Sequence, residues 1–123
     1  MEENPHKGVT GLRRVWLATG YSLDGLAVAY RGEAAFRQLV WLAAVLIPVA
    51  LILPLDAISR ALLIGSVLLS LIIELLNSAI EAAIDRISLE RHPLSKASKD
   101  MGSAAQLIGL IMIAVVWGLV LLG

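Results

Sequence analysis

Apolar residues are concentrated in three long runs, at residues 39–55, 57–84 and 104–123. Because about 20 apolar residues suffice for a helix to cross the hydrocarbon core of a bilayer, each run predicts a membrane helix. We place these helices at residues 36–55, 57–86 and 100–122. Pro48 predicts a kink inside the first helix and Pro54 predicts its end, since proline removes a helical hydrogen bond.

The residues before the first run mix apolar and charged positions. Apolar side chains recur at helical spacing on both sides of Gly20, while Arg13 and Arg14 fall on the opposite side. This pattern predicts an amphipathic helix over residues 9–31 that lies on the membrane surface, with a break at residues 20–22. An amphipathic helix packed on a soluble partner is the alternative. The positions on the apolar face are Val9, Leu12, Val15, Trp16, Thr19, Leu23, Leu26, Ala27 and Tyr30.

Polar and acidic side chains enter the second run in its second half. With 100° between successive helical residues, they all fall within about 100° of one another on a single face. A charged group at the centre of a membrane helix costs about 2.5–3.5 kcal/mol on insertion scales, so this face must contact protein or a water-filled cleft. The serines suit hydrogen bonds between helices, whereas the glutamates indicate function. We call this set the polar stripe; its members are Ser70, Glu74, Asn77, Ser78, Glu81 and Asp85.

Composition supports a small membrane protein with a single domain over residues 1–123. Hydrophobic residues make up 59% of the chain, charged residues make up 16%, and the mean hydropathy is +0.84. The formal net charge is zero, which gives no support for a nucleic-acid partner. There is no cysteine, and neither histidine has a partner at zinc-ligand spacing, so a zinc enzyme is disfavoured. No signal peptide is visible before the first run.

The basic residues are distributed unevenly around the three runs. Arg60 lies near the loop between the first and second runs, at the start of the second, whereas the other nine of the ten basic residues precede the first run or follow the second. The positive-inside rule therefore predicts a bacterial inner-membrane protein with a cytoplasmic N-terminus and a periplasmic C-terminus. The nine residues are Lys7, Arg13, Arg14, Arg31, Arg37, Arg86, Arg91, Lys96 and Lys99.

The segment between the second and third runs is rich in charge. Pro93 is expected to interrupt any helix here, and Lys99 falls at the mouth of the cleft that Glu81 would line. A lysine beside carboxylates suits a phosphate group and a metal ion, although the familiar glycine-rich phosphate motifs do not occur. Two functions fit this chemistry: reaction of a lipid head group with a soluble anionic cosubstrate, and ion-coupled transport. A purely structural membrane oligomer is a third possibility, which leaves the glutamates unexplained.

Three motifs, in order, resemble the prokaryotic diacylglycerol kinase family. They are GEAAFRQ at residues 32–38, ELLNSAIEAAIDRI at residues 74–87 and KDMGSAA at residues 99–105. The stretch around Gly20, Tyr21 and Ser22 and the three-span layout extend the resemblance over nearly the whole chain. The resemblance implies an all-α homotrimeric bundle, in which each subunit has three transmembrane helices and an N-terminal surface helix. It also implies active sites shared between subunits, and Mg²⁺-dependent transfer of the ATP γ-phosphoryl group to diacylglycerol, giving phosphatidic acid.

The same resemblance implies roles for individual residues. Glu74 corresponds to the catalytic base with Asn77 close by, and Glu33 and Glu81 correspond to carboxylates that hold the metal ion. The positions that match ATP contacts, in addition to Glu33 and Glu81, are Arg14, Tyr21, Glu90, Arg91, His92, Lys99 and Asp100. The positions that match lipid contacts, in addition to Glu74, are Ala18, Ser22, Leu23, Ala35, Gln38, Arg60, Ser103 and Trp117.

Two alternatives remain open at this point, in addition to the structural oligomer named above. The family includes kinases of undecaprenol, and the motifs separate the two lipids poorly, although the long amphipathic N-terminal part and the GEAAFRQ form favour diacylglycerol. A small proton-coupled transporter could use a membrane glutamate, but three spans and a charged loop fit it poorly.

The polar stripe needs a protein-lined cleft that three helices hardly provide, so we expect a second copy of the chain to cover it.

Overall fold

The computed structural model describes residues 10–123, which form four α-helices and no β-strand. The helices are α1 (Gly11–Gly32), α2 (Ala34–Ile52), α3 (Ala57–Ile87) and α4 (Pro93–Leu122). The last three are each long and apolar enough to cross a membrane, as the apolar runs predict. The all-helical architecture with three candidate spans is therefore confirmed. Lys7, and Val9 at the expected start of the surface helix, lie outside the described residues.

Helix α3 lies between α2 and α4 and packs on both, and α2 does not pack on α4 within residues 10–123. Helices α3 and α4 run antiparallel, since hydrogen-bonded positions rise along α3 as they fall along α4. The three pairs that show this are Leu63 with Trp117, Ser70 with Gln106, and Asp85 with Lys99. This packing turns one face of α3 towards α4 along most of its length.

Helix α1 is continuous, so the predicted break at residues 20–22 is wrong. A glycine in a helix interior costs only about 1 kcal/mol relative to alanine, and Gly20 is flanked by residues that tolerate a helix. The hydroxyls of Thr19 and Ser22 also remain compatible with the helix, because they donate to the carbonyls of Val15 and Ala18 one turn earlier. Within Gly11–Gly32 only Ala29 is buried, so most of α1 is free of the other helices.

Helix α4 begins at Pro93, so the expectation that this proline interrupts the helix is wrong. Proline is well tolerated in the first turn, where its missing N–H would have no helical acceptor. His92 caps this end, since its Nδ1 accepts a hydrogen bond from the Leu94 N–H at 3.1 Å. The expected start at residue 100 therefore came too late, and the charged segment before the third apolar run is largely helical.

Charged side chains organise both ends of α2. The Arg37 guanidinium donates to the carbonyls of Tyr30 and Arg31 at the end of α1, at 2.8 and 2.9 Å. At the other end, Arg60 donates to the carbonyls of Ala50 and Leu53, at 3.0 and 2.9 Å. A cation suits these places because the last carbonyls of a helix lack partners and carry partial negative charge. Helix α2 continues through Pro48 to Ile52 and ends two residues before Pro54.

Asp56 caps the start of α3 on the side of the molecule where Arg60 lies. Its carboxylate accepts a hydrogen bond from the Ser59 N–H at 2.8 Å. Hydrogen bonds from Ser59 hold the pKa of this exposed carboxyl below its usual range. The cap therefore retains its charge at neutral pH, where it complements the positive end of α3.

Candidate active site

The polar stripe is buried over the deep part of its length, where Ser70, Glu74 and Asn77 contact helix α4. Ser70, Glu74, Asn77 and Ser78 are all buried, and Glu74 retains only 5% of its surface exposure. The prediction that this face contacts protein rather than lipid is therefore confirmed for these four residues. Towards the end of α3 the side chains of the stripe become more exposed, since Glu81 is half-buried and Asp85 is exposed.

One chain alone buries Glu74, so the burial of this residue requires no second copy, whereas cover of Glu81 and Asp85 by a second copy stays a prediction. The burying element is α4, which begins earlier than predicted and packs along α3. Gln106 of α4 donates a hydrogen bond from Nε2 to Glu74 Oε2 at 2.9 Å. Ser70 completes the contact by donating from Oγ to Gln106 Oε1 at 3.1 Å. The deep part of the stripe is thus a hydrogen-bonded cluster within a single chain.

Gln106 is the residue of this cluster that the sequence interpretation missed. A signal for it exists, because Gln106 carries the one amide side chain in the apolar run at residues 104–123. A polar side chain inside a membrane helix is costly unless it finds a partner on a neighbouring helix. Searching the third run for such a residue would have identified the partner of Glu74.

Asn77 and Ser78 carry buried polar atoms that the described residues leave without hydrogen bonds. These atoms are Asn77 Oδ1 and Ser78 Oγ. The Asn77 side chain fills the space beside Gly102 of α4, where a Cβ atom on residue 102 would overlap it. A buried polar atom without a partner carries a desolvation penalty of about 1–3 kcal/mol, so the two atoms are well suited to receive a polar ligand.

A cavity of about 670 Å³ lies where α3 ends and α4 begins. It collects five of the residues expected to contact ATP, and it includes further charged side chains from both helices. The expected residues are Glu90, Arg91, His92, Lys99 and Asp100, and the added charges are Asp85 and Lys96. A cavity of this size with mixed charge at its rim can accept a nucleotide-sized anion.

Lys99 lies beside the acidic end of the polar stripe, as its position in the sequence predicts. Its Nζ donates to Asp85 Oδ1 at 2.8 Å, and the carboxylate of Glu81 adds a second negative charge nearby. A neighbouring pair joins Lys96 Nζ to Asp100 Oδ2 at 2.6 Å. Both pairs are largely exposed, so they are weak as stabilising contacts and remain accessible to a phosphate group.

A separate groove lies between α1 and α3, and Ser78 of the polar stripe belongs to its lining. Glu33 and Ser22 line it together with small side chains of α3, including Ala79 and Ala82. On the α3 helix, Ala79 and Ala82 lie about 80–140° away from Glu74, whereas Asp85 lies only about 20° away. Within one chain, Glu33 therefore faces a different side of α3 from the cavity that holds Lys99.

The remaining predicted residues lie apart from these three places. Arg14, Ala18, Tyr21 and Leu23 are exposed along α1, Ala35 and Gln38 are exposed at the start of α2, and Ser103 is exposed on α4. Arg60 and Trp117 lie towards the opposite end of the bundle, where Trp117 Nε1 donates to the carbonyl of Leu63 at 3.2 Å. The predicted lipid contacts are thus spread along the outer surface of the bundle.

Two carboxylates, those of Glu33 and Glu81, are the ones expected to hold Mg²⁺. Mg²⁺ in phosphoryl-transfer enzymes is commonly held by one or two carboxylates, with substrate phosphates and waters completing the coordination. Glu33 and Glu81 are of this type, and both are half-buried. Within residues 10–123 no group of three metal-ligating side chains occurs.

The fold and these features define a class: a multi-pass helical membrane protein with a buried carboxylate on a helix that ends at a charged surface cavity. The family model for prokaryotic diacylglycerol kinase matches residues 20–121. A diacylglycerol kinase of Pseudomonas aeruginosa is 63% identical over 123 residues and covers all of both chains. One of Escherichia coli K12 is 50% identical over 112 residues, covering 91% of this chain and 92% of its own. One of Haemophilus influenzae is 48% identical over 109 residues, covering 89% and 92%. The chain belongs to the prokaryotic diacylglycerol kinase family.

Proposed function

We propose that this protein is an ATP-dependent kinase that phosphorylates diacylglycerol to phosphatidic acid in the bacterial inner membrane. The observation that carries the proposal is the placement of Glu74, a buried carboxylate on the membrane helix that ends at the charged cavity. Family membership over residues 20–121 and the relatives named diacylglycerol kinase support the same activity.

In the proposed reaction, Glu74 accepts the proton of the lipid hydroxyl. The hydroxyl oxygen forms a bond to the γ-phosphorus of ATP, the bond from that phosphorus to the β–γ bridging oxygen breaks, and ADP leaves. Phosphoryl transfer depends mainly on positioning and on neutralising the phosphate charge, with one group to accept the hydroxyl proton. Lys99 supplies positive charge to the phosphates, and Asn77 offers its buried amide oxygen to the reacting groups.

The depth of the groups matches the geometry of a lipid substrate. Glu81 lies seven residues from Glu74 along α3, which separates the two by about 10 Å along the helix axis. A lipid presents its hydroxyl from the membrane side, while ATP approaches from water through the cavity that Lys99 borders. We propose that Glu33 and Glu81 hold Mg²⁺, which when bound neutralises charge on the ATP phosphates.

The proposed orientation places the N-terminus and the ATP cavity in the cytoplasm and the C-terminus in the periplasm. The described basic residues support it, since Lys96 and Lys99 border the cavity and Arg37 lies at the start of α2 on the same side. Arg60 lies at the far end of α2. Helix α1 would then rest on the cytoplasmic membrane surface with its exposed leucine, valine and tryptophan side chains among the lipids.

We further propose a homotrimer with active sites shared between subunits. The support is that Glu33 lines a groove on a different side of α3 from the Lys99 cavity, so one chain divides the expected site between two faces. Mixing the inactive variants Glu74→Gln and Glu33→Gln should restore part of the activity, because some mixed sites receive both intact residues. No recovery after verified subunit exchange would mean that both residues of a site come from one chain.

The activity and its lipid are tested in one experiment. Purified protein in mixed micelles receives γ-³²P-labelled ATP and either diacylglycerol or undecaprenol, and the labelled lipid is separated by thin-layer chromatography. We expect labelled phosphatidic acid and much less labelled polyprenyl phosphate. Preferential labelling of undecaprenol would replace the lipid in the proposal, and labelling of neither lipid would overturn the kinase assignment.

A further inference from the structure

The side chain of Gln106 is held by three hydrogen bonds. Its Nε2 donates to Glu74 Oε2 at 2.9 Å and to the main-chain carbonyl of Ser70 at 3.2 Å. Its Oε1 accepts from the Ser70 hydroxyl at 3.1 Å. All three partners belong to α3, so a single side chain of α4 is tied to two successive turns of the facing helix.

These contacts leave one orientation for the amide of Gln106. The main-chain carbonyl oxygen of Ser70, which can only accept, lies beside the same terminal atom as Oε2 of Glu74. That atom must therefore be the NH₂ group, and the opposite atom must be the oxygen that faces the Ser70 hydroxyl. Both N–H groups and the oxygen are then satisfied, which makes the amide a rigid donor towards Glu74.

The backbone of α4 is shaped to admit this arrangement. Gly109 is buried one turn beyond Gln106, and a Cβ atom there would lie 2.9 Å from Gln106 Oε1 and 3.1 Å from Ile73 Cδ1. A side chain at residue 109 would therefore push on the amide and separate the helices. The absence of a side chain at this position lets Gln106 reach α3.

The two carboxylate oxygens of Glu74 are consequently unequal. Oε2 accepts the bond from Gln106, while Oε1 accepts no hydrogen bond from any residue within 10–123. A carboxylate with one oxygen fixed cannot rotate freely about its last bond, so the other oxygen has a defined direction. A group held within about 10–20° of its productive orientation is what proton transfer requires.

We propose that Gln106 is a positioning residue that fixes Glu74 through Oε2 and so directs Oε1 towards the hydroxyl of the lipid substrate. This inference rests on the proposed role of Glu74 as the base. Ser70 has a supporting role, since its hydroxyl fixes the amide of Gln106. Ser70 and Gln106 thus orient the Glu74 carboxylate for the reaction and also join helices α3 and α4.

The test compares kcat and KM of single variants that assemble like the wild type. Gln106→Met keeps the length of an unbranched side chain and removes every hydrogen bond of the amide. We expect kcat to fall about tenfold, while the apparent KM values for MgATP and diacylglycerol stay within about twofold, because the interaction acts on orientation in the transition state. Ser70→Ala frees only one side of the amide and should lower kcat about threefold.

Ser66→Ala is the matched control. Ser66 is a buried serine on the same helix, about one turn from Ser70, but its hydroxyl donates to the Leu63 carbonyl of its own helix. Its kcat should equal that of the wild type. In a Glu74→Asp background the shortened carboxylate no longer reaches Gln106, so adding Gln106→Met should cause no further loss.

The outcomes separate this inference from the proposed function. Wild-type kcat in Gln106→Met, or raised KM values at unchanged kcat, would overturn the positioning role while leaving the kinase assignment intact. If Gln106→Met fails to assemble, Ser70→Ala decides, and a Ser70→Ala kcat equal to that of Ser66→Ala would overturn the role. A wild-type protein without kinase activity, or an active Glu74→Gln, would instead refute the proposed function.

Discussion

Replacing Glu74 by glutamine exchanges one buried oxygen for an amide nitrogen at almost constant shape. The new side chain still offers an oxygen to Gln106, which donates to Glu74 Oε2 at 2.9 Å in the structure. The contact between α3 and α4 therefore survives, and the variant should fold and assemble as the wild type does. The amide has no basic oxygen to accept a proton, so the catalytic contribution of a general base, about 10²–10⁴ in rate, should disappear.

Glu74→Ala is the informative comparison, because it removes the acceptor as well as the base. It leaves Gln106 Nε2 with only the Ser70 carbonyl as partner in a buried place. An unsatisfied buried donor costs about 1–3 kcal/mol, and the cavity left behind adds to that cost. We therefore expect Glu74→Ala to be both inactive and less stable, whereas Glu74→Gln should be inactive and of nearly wild-type stability.

Initial rates of phosphatidic acid formation and thermal unfolding in detergent, followed by circular dichroism, measure both effects. Glu74→Gln activity within a few-fold of the wild type would refute the assignment of Glu74 as the base. Equal melting temperatures for Glu74→Ala and Glu74→Gln would refute the stabilising role of the hydrogen bond from Gln106. Because the rate and the melting temperature are measured independently, the rate tests Glu74 as the base and the melting temperature tests its hydrogen bond with Gln106.

Two further predictions concern the packing of Asn77 and the proposed magnesium ligands. Gly102→Ala places a methyl group where the Asn77 side chain lies, and overpacking of this kind costs about 1–3 kcal/mol, so Asn77 should be displaced and kinase activity should fall at least tenfold. The control is Gly118→Ala, which has open space at its Cβ position and should keep nearly wild-type activity in the same assay. Equal rates for the two variants would contradict the role of Asn77. Glu33→Gln and Glu81→Gln should each raise the apparent KM for MgATP and the Mg²⁺ concentration needed for half-maximal rate, and unchanged titrations in both variants would refute their proposed role as metal ligands.

Single glycine and proline residues in α1 and α4 are weak local signals for where a helix breaks or begins. Gly20 suggested a break, yet α1 is continuous, because a single glycine costs a helix only about 1 kcal/mol. Pro93 suggested an interruption, yet it starts α4, because the effect of proline depends on its position within the helix. Both errors concern a residue whose energetic cost depends on its position in the helix. The prediction of a membrane span does not depend on any single residue, because about 20 apolar residues define it.

The polar stripe was predictable because it depends only on helical periodicity and on the cost of charge in a membrane. Residues at 100° intervals share a face whatever the helix packs against, and a carboxylate such as Glu74 cannot face lipid. The sequence by itself therefore determined the three spans, the buried face of α3 and the residue types on it. The motifs that resemble the kinase family, including the one around Lys99, were also present in the sequence alone.

The partners of these residues were decided only by the tertiary structure. Which helix covers Glu74, and at which register, depends on the packing of α4 along α3, and that packing depends on small residues such as Gly102 and Gly109. The register places Gln106 against Glu74 and Lys99 against Asp85, although these pairs are 32 and 14 residues apart in the chain. Periodicity assigns a residue to a face of its own helix, but a contact between helices requires the relative position of two helices, which side-chain packing sets in three dimensions.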